Sequence, residues 1–185
     1  LESNSEELVQ KFREGAIQVL STNMDLQGPE YHRTDLGPFR MYILLRQGSP
    51  AAAYARDRGG DYLELDPIHL AEEPLAISAP GSRSRQMAMA IYRQAGIEPS
   101  FVQAVSRPIT LTTLAENGVA SSIYALSREV RSALSRKSLV YAIPDSYPAV
   151  SSRLLVCRRS SLPRFPKGFY PELEEVFRVC IAASE

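Results

Sequence analysis

Apolar positions along the chain switch repeatedly between a period of about two and a period of about 3.6. Ser3-Asn4-Ser5-Glu6 has the S-x-x-E form of a capping box. Leu8, Val9 and Phe12 follow at helical spacing, and Gly15 is a natural stop. "AIQVLST" then reads as a short strand. In "GPFRMYILLRQGSP", Met41, Ile43 and Leu45 alternate with Tyr42 and Leu44. Apolar residues on both faces predict a strand buried on both sides, as in α/β sheets. "EYHRTD" reads as a surface loop, "AAAYARDRGG" as a short helical turn ending in glycine, and "YLELDPIHLAEE" as a connector with a short helix.

The second half continues the alternation. "PLAISA" is a strand. Met87, Ile91 and Ala95 recur every four residues, with Ala88 and Tyr92 alongside, and Gly96 and Pro99 close that helix. "SFVQAV" is a strand. Pro108 opens a helix with Leu111, Leu114 and Ala115 inward and Gly118 as its stop. "VASSIYA" predicts a strand, "LSREVRSALSR" a helix, and "SLVYAI" and "SSRLLVCRR" two more strands. "SSLPRFPKGFYP" is a proline-rich loop. Pro171 then opens a helix whose expected inner face is Leu173, Val176, Phe177, Cys180 and Ile181. Strands alternating with helices predict an α/β fold with mostly parallel sheets and right-handed crossovers.

The 185 residues suit one large domain or two small lobes, and composition narrows the class. Hydrophobic residues at 44% and charged residues at 23% are ordinary for a soluble globular chain. No apolar run approaches the ~20 residues of a membrane span. The start lacks the basic flank and apolar stretch of a signal peptide, so the cytoplasm is the expected compartment and no membrane partner is expected. A formal net charge of zero argues against nucleic-acid binding by this chain itself. Cys157 and Cys180 lie in apolar contexts and are expected to be buried free thiols. Two histidines, His32 and His69, cannot form a usual zinc set, and no motif implies a metal or other cofactor.

Candidate chemistry concentrates where strands give way to helices. In open parallel sheets, ligands bind beyond the carboxyl ends of strands, against helix N-termini. Such edges carry Ser21-Thr22-Asn23, Ser78 with Ser82 and Ser84, Ser106 with Thr110, and Ser121-Ser122. Taken singly, each serine also has the plain role of a helix cap. Taken together they describe a polar cleft for a small anion, with Thr22, Ser82, Ser84, Ser106 and Ser121 as the expected effector contacts. Arg83, Arg85, Arg93 and Arg107 would attract such an anion, although Arg85 and Arg93 also fit the solvent face of a helix. "SAPGSRS" lacks the G-x-x-x-x-G-K-[ST] of a nucleotide phosphate loop and the G-x-S-x-G of a nucleophile elbow. With only two histidines, both outside strand ends, no catalytic triad is expected, and the chain does not read as an enzyme.

The order of elements resembles the effector-binding, or regulatory, domain of LysR-type transcriptional regulators. The resemblance is carried by "SNSEELVQKFREGAIQVLST", by "RMYILLRQGSPAAA", by "LDPIHLAEEPLAISAPGS", and by "RLLVCRRSSLPRF" with "LEEVFRVC". The closest match is "RQAGIEPSFVQAVSRPITLTTLAENGVASSIYALS". Ala120 stands where the family often has a second glycine, and Ala125 where proline is common, so the Ser121-Ser122 edge departs from the usual pattern. The resemblance implies a two-lobed, type II periplasmic-binding-protein-like fold with two crossing hinge strands. One lobe is expected at residues 1–65 and 160–185, the other at 66–159. It implies a small-molecule effector held between the lobes and a homodimer or homotetramer. DNA would be reached only through a winged helix-turn-helix domain that, with the first strand and helix of the regulatory domain and most of its second strand, is expected to lie outside this chain. Residues 66–159 hold 11 basic and 7 acidic residues against 10 and 14 elsewhere, a contrast that would favour antiparallel pairing of subunits. The rival reading on the same fold is the solute-binding protein of a transport system.

Overall fold

The computed structural model describes residues 5–125, Leu134 and residues 139–182. The Ser3-Asn4 half of the expected capping box and the helix expected over 126–136 lie outside the described residues. The chain divides into two units, Leu1–Phe39 with Ser151–Glu185, and Arg40–Val150. The division therefore falls well before the expected boundary at 65/66 and before that at 159/160. The cause is pairing: residues 40–65 join the second unit through strand contacts described below.

In the first unit, α1 (Ser5–Arg13) carries Glu6 and Glu7 in its first turn and Lys11 and Arg13 in its last, matching the helix dipole. Gly15, at φ 84°, takes the left-handed conformation that ends it. Val9 and Phe12 pack with Leu20, Leu26 and Val156. β1 (Val19–Thr22) runs antiparallel to the chain's last strand, with Leu20 opposite Val156 and Thr22 opposite Leu154. β2 (Tyr31–Leu44) lies on the other side of that last strand. "EYHRTD" is thus the start of a strand and not a loop; His32 stands edge-on to the ring of Tyr170, 5.0 Å between centroids.

The second unit begins inside β2. Residues Met41–Leu44 pair antiparallel with β5 (Ser122–Ala125), and Tyr42–Leu44 with β6 (Val140–Ala142). Between them lies a β-α-β-α-β run: β3 (Leu75–Ser78), α2 (Arg83–Gln94), β4 (Phe101–Val105), α3 (Pro108–Glu116) and then β5. β3 pairs parallel with β4, and Leu75 forms a parallel bridge with Ser121. All four residues of β3 are buried, as expected of a strand covered on both faces. Leu44, Ala76, Val105, Leu111, Ala115 and Val140 belong to one core cluster. Gly118 closes α3 at φ 69°; a Cβ there would stand 3.2 Å from the carbonyl oxygen of Gln47.

β7 (Val150–Arg158) returns the chain to the first unit, and α4 (Phe169–Ala182) ends it. The sheets are mixed, not mostly parallel. β2 and β7, the strands that pass from one unit to the other, run against the neighbours with which they pair in β1, β5 and β6. α4 starts two residues before Pro171, and it buries the i, i+4, i+8 stripe of Leu173, Phe177 and Ile181 against Leu36, Leu155, Cys157 and Tyr170. Val176 and Cys180 lie on the flank of that stripe and are exposed, so only Cys157 is the expected buried thiol. Redrawn to the observed units, the charge contrast nearly disappears. The unit 40–150 holds 12 basic and 10 acidic residues and the other 9 and 11, too little to order subunit pairing by charge. No helix among the described residues is long and apolar enough to cross a membrane.

Candidate functional site

The carboxyl ends of β3 and β4 lie side by side. Ser78 is paired in register with Val105, and the amide of Ala79 donates to the carbonyl of Val105 at 2.8 Å. The loop after β3 turns directly into α2. Ser82, at φ −90° and ψ 145°, is its N-cap: its hydroxyl accepts from the amide of Arg85 and donates to the carbonyl of Ala79. Further amides in the first turn of a helix have no intrahelical acceptor, and the dipole is positive there. Tyr92 and Ile91 fix the helix to the sheet below. Both are fully buried, and burial pushes the Tyr92 phenol well above its ordinary range, keeping it neutral.

This edge is polar and partly unsatisfied. Ser78 is 93% buried, and among the described residues its hydroxyl has no hydrogen-bond partner. Ser84 is also buried, in the first turn of α2. Ser106 follows β4 and is exposed, beside Arg107, which caps α3 without a side-chain hydrogen bond. Arg85 is not on the solvent face. Its guanidinium folds back, donates to the carbonyl of Ser78 at 2.9 Å and lies over the ring of Phe101. Arg93 is exposed, as the helix pattern allowed. Ser78, Ser82, Ser84 and Ser106 therefore share one end of the sheet, with Arg85 at its floor.

Ser121 does not join this group, and Thr22 belongs to the other unit. Ser121 immediately precedes β5 and bridges Leu75, the first residue of β3, so it lies at the amino end of the sheet. Three residues of strand separate that level from Ser78, about 10 Å. Ser121 is also fully buried and already bonded: its hydroxyl accepts from the amide of Arg46 at 3.0 Å and donates to Glu73 at 2.9 Å. The expectation of an effector contact at Ser121 is corrected on both counts. Thr22 ends β1 in the first unit, where its hydroxyl accepts from the amide of Met24.

The Ser121 network was not legible in the sequence. Glu73, with a side chain 4% exposed, receives Arg46 Nε at 2.8 Å, Ser49 Oγ at 2.6 Å and Ser121 Oγ. Ser49 also caps the 3-10 helix Pro50–Tyr54. Three segments distant in sequence, those of Arg46 and Ser49, of Glu73 and of Ser121, are thereby tied together at one buried carboxylate. Among the described residues no group of three or more His, Cys, Asp or Glu is placed to hold a metal ion.

Two α/β units linked by two passing strands, with hydroxyls and amides at a strand edge, define a type II periplasmic-binding-protein-like architecture. The chain matches the LysR substrate binding domain over residues 1–177, and it belongs to that family. No curated protein matches it. Among solved structures it is similar to OxyR from Corynebacterium glutamicum, at 17% identity and a TM-score of 0.72, covering 98% of this chain and 55% of that one. The regulatory domain of CcmR from Synechocystis, in complex with 2-PG, aligns at 9% identity and a TM-score of 0.70 over 97% of this chain and 80% of its own. The effector binding domain of QuiR, in complex with shikimate, aligns at 12% identity and a TM-score of 0.63 over 85% and 69%. The chain thus spans about half the length of the OxyR chain.

Proposed function

We propose that this chain is the effector-sensing part of a cytoplasmic LysR-type transcriptional regulator, and that a small anionic metabolite is recognised at the carboxyl ends of β3 and β4. The observation that carries the reading is the Ser82-capped first turn of α2 at the carboxyl ends of β3 and β4, where the buried hydroxyl of Ser78 has no partner among the described residues. A buried polar group without a partner is costly, and a ligand oxygen accepting from Ser78 removes that cost on binding. Ser82, Ser84, Ser106 and the first-turn amides of α2 supply further donors, and the helix dipole favours negative charge. Arg85, folded back onto the carbonyl of Ser78, adds positive charge at the same edge. The complexes of CcmR with 2-PG and QuiR with shikimate are in keeping with small effectors in this fold. Thr22, at the end of β1, is a separate contact in the same reading.

Binding at such an edge regulates only if the ligand prefers one arrangement of the protein over another. The role is then sensing rather than turnover, with the signal passed to a DNA-binding domain in a homodimeric or homotetrameric regulator. A thermal-shift screen of carboxylates, phosphates and their neutral amides tests the reading. An effector at ~100 times its dissociation constant adds about 2.7 kcal/mol of stability. Stabilisation by acids and not by the matching amides is expected; an equal response to both would refute the anion-binding edge.

A further inference from the structure

A second concave site lies in the unit 40–150, away from the β3–β4 edge. It has a volume of about 260 Å³ and is walled by Tyr54, Arg56, Arg58, Glu64, Asp66 and His69. Its floor follows from strand geometry. Arg56 and Glu64 exchange both backbone hydrogen bonds, each 2.8 Å, and Glu64 forms a parallel bridge with Ala142. Residues opposite one another, and residues two apart, share a face. Arg56, Glu64 and Asp66 therefore face the groove, while Leu65 points the other way into the core. The walls come from two 3-10 turns, Pro50–Tyr54 and Pro67–Leu70, whose Tyr54 and His69 rings stack at 4.1 Å and 4°.

The polar accounting leaves donors over. Glu64 pairs with Arg58 at 3.5 Å. Asp66 accepts from the Tyr147 hydroxyl at 2.6 Å and from the amide of Ile68 at 3.0 Å. Burial, then the hydrogen bond and charge of Asp66, push the Tyr147 phenol up to about 12, so it remains a donor. Each acid is thus engaged through one oxygen, Oε1 of Glu64 and Oδ1 of Asp66. Among the described residues the guanidinium of Arg56 has no partner, and it stands beside an aromatic stack. A guanidinium next to a flat aromatic wall suits a planar carboxylate, with two parallel N–H···O bonds and a ring edge against the stack. The volume admits a single ring with its carboxylate.

We propose that this groove is a ligand site separate from the β3–β4 edge, and that it takes a small planar carboxylate anchored by Arg56 and by the Tyr54–His69 stack. Salicylate is a suitable probe, with salicylamide and cyclohexanecarboxylate as controls. The chain has only two histidines, so the His69 ring signal in an NMR titration is identified by a His32→Gln variant. Salicylate is expected to shift the His69 ring with a dissociation constant on the order of 1 mM, with both controls weaker. Arg56→Gln, at an exposed position, is expected to weaken that response about tenfold while the ligand-free melting temperature stays unchanged. Tyr54→Leu is expected to weaken salicylate more than cyclohexanecarboxylate. Salicylate binding that leaves His69 unmoved, or a His69 response unaltered by Arg56→Gln, overturns the proposal. So does an equal response to salicylamide. None of these outcomes depends on an effector being found at the β3–β4 edge.

Discussion

Removing the Glu73 carboxylate should destabilise the unit 40–150 far more than a typical substitution. In Glu73→Ala the hydroxyls of Ser49 and Ser121 lose the acceptor for their protons, and Arg46 loses its only carboxylate partner among the described residues. Each hydroxyl keeps the amide it accepts from, Ala51 for Ser49 and Arg46 for Ser121, so two donors and one cation are left wanting. Hydrogen bonds to charged groups contribute ~1.5–3 kcal/mol each, but the group is shared and its parts do not add. Arg46 is a quarter exposed, so water recovers much of its loss. The resulting expectation is about 3–5 kcal/mol, the range for breaking a buried pair by removing one partner. At ~2–4 °C per kcal/mol for a chain of this size, the melting temperature should fall by about 10 °C. Arg46→Ala should cost nearly as much, because it leaves the carboxylate buried with only hydroxyls. Ser121→Ala should cost about 1–2 kcal/mol. Urea denaturation of the four proteins is the assay, with the slope m expected to stay constant. A Glu73→Ala protein within 1 kcal/mol of wild type would refute the reasoning. The network would then be a surface contact in solution.

Gly118→Ala should destabilise by about 1–3 kcal/mol in the same assay, since φ 69° disfavours any side chain and the new Cβ meets a backbone carbonyl. Tyr147 titrates near 10 when unfolded and at about 12 when folded, so the unfolded chain releases its proton first. Its contribution to stability is complete below pH 10 and is lost as pH rises towards 12; melting temperatures should fall across that window, and less steeply in Tyr147→Phe. In the native protein one thiol, Cys180, should react rapidly with a disulfide reagent, and two should react after unfolding, because Cys157 is fully buried and burial pushes its thiol up. Ser82→Ala should cost about 1 kcal/mol through loss of the α2 cap, measured by denaturation.

The parts of the fold legible in the sequence were those set by local pattern. The stripe of Met87, Ala88, Ile91 and Tyr92 placed α2, and Gly118 placed the end of α3. Parallel β3 and β4 followed from strand-helix alternation. Long-range pairing was not legible. "EYHRTD" has no apolar alternation because its strand is only half covered, and the unit boundary at 39/40 depends on pairing across some eighty residues, Met41 with Ala125. The site divides in the same way. Serines next to α2 declared themselves as caps and strand ends. Ser121 looked equivalent, yet which end of β5 it occupies depends on its bridge to Leu75 and on Glu73, both remote in sequence. Arg85 was ambiguous because a long side chain at a helix start can turn outward or fold back, and the carbonyl of Ser78 decides it.

Ser78→Ala separates a binding hydroxyl from a structural one more directly than any other change. Among the described residues its buried Oγ has no partner, so deletion removes no hydrogen bond to them. The free protein should become more stable, by about 1–3 kcal/mol, as the unsatisfied hydroxyl is removed, while the dissociation constant of an effector found by screening should rise about tenfold by calorimetric titration. Unchanged affinity in Ser78→Ala, with the effector still binding, would contradict recognition at the β3–β4 edge.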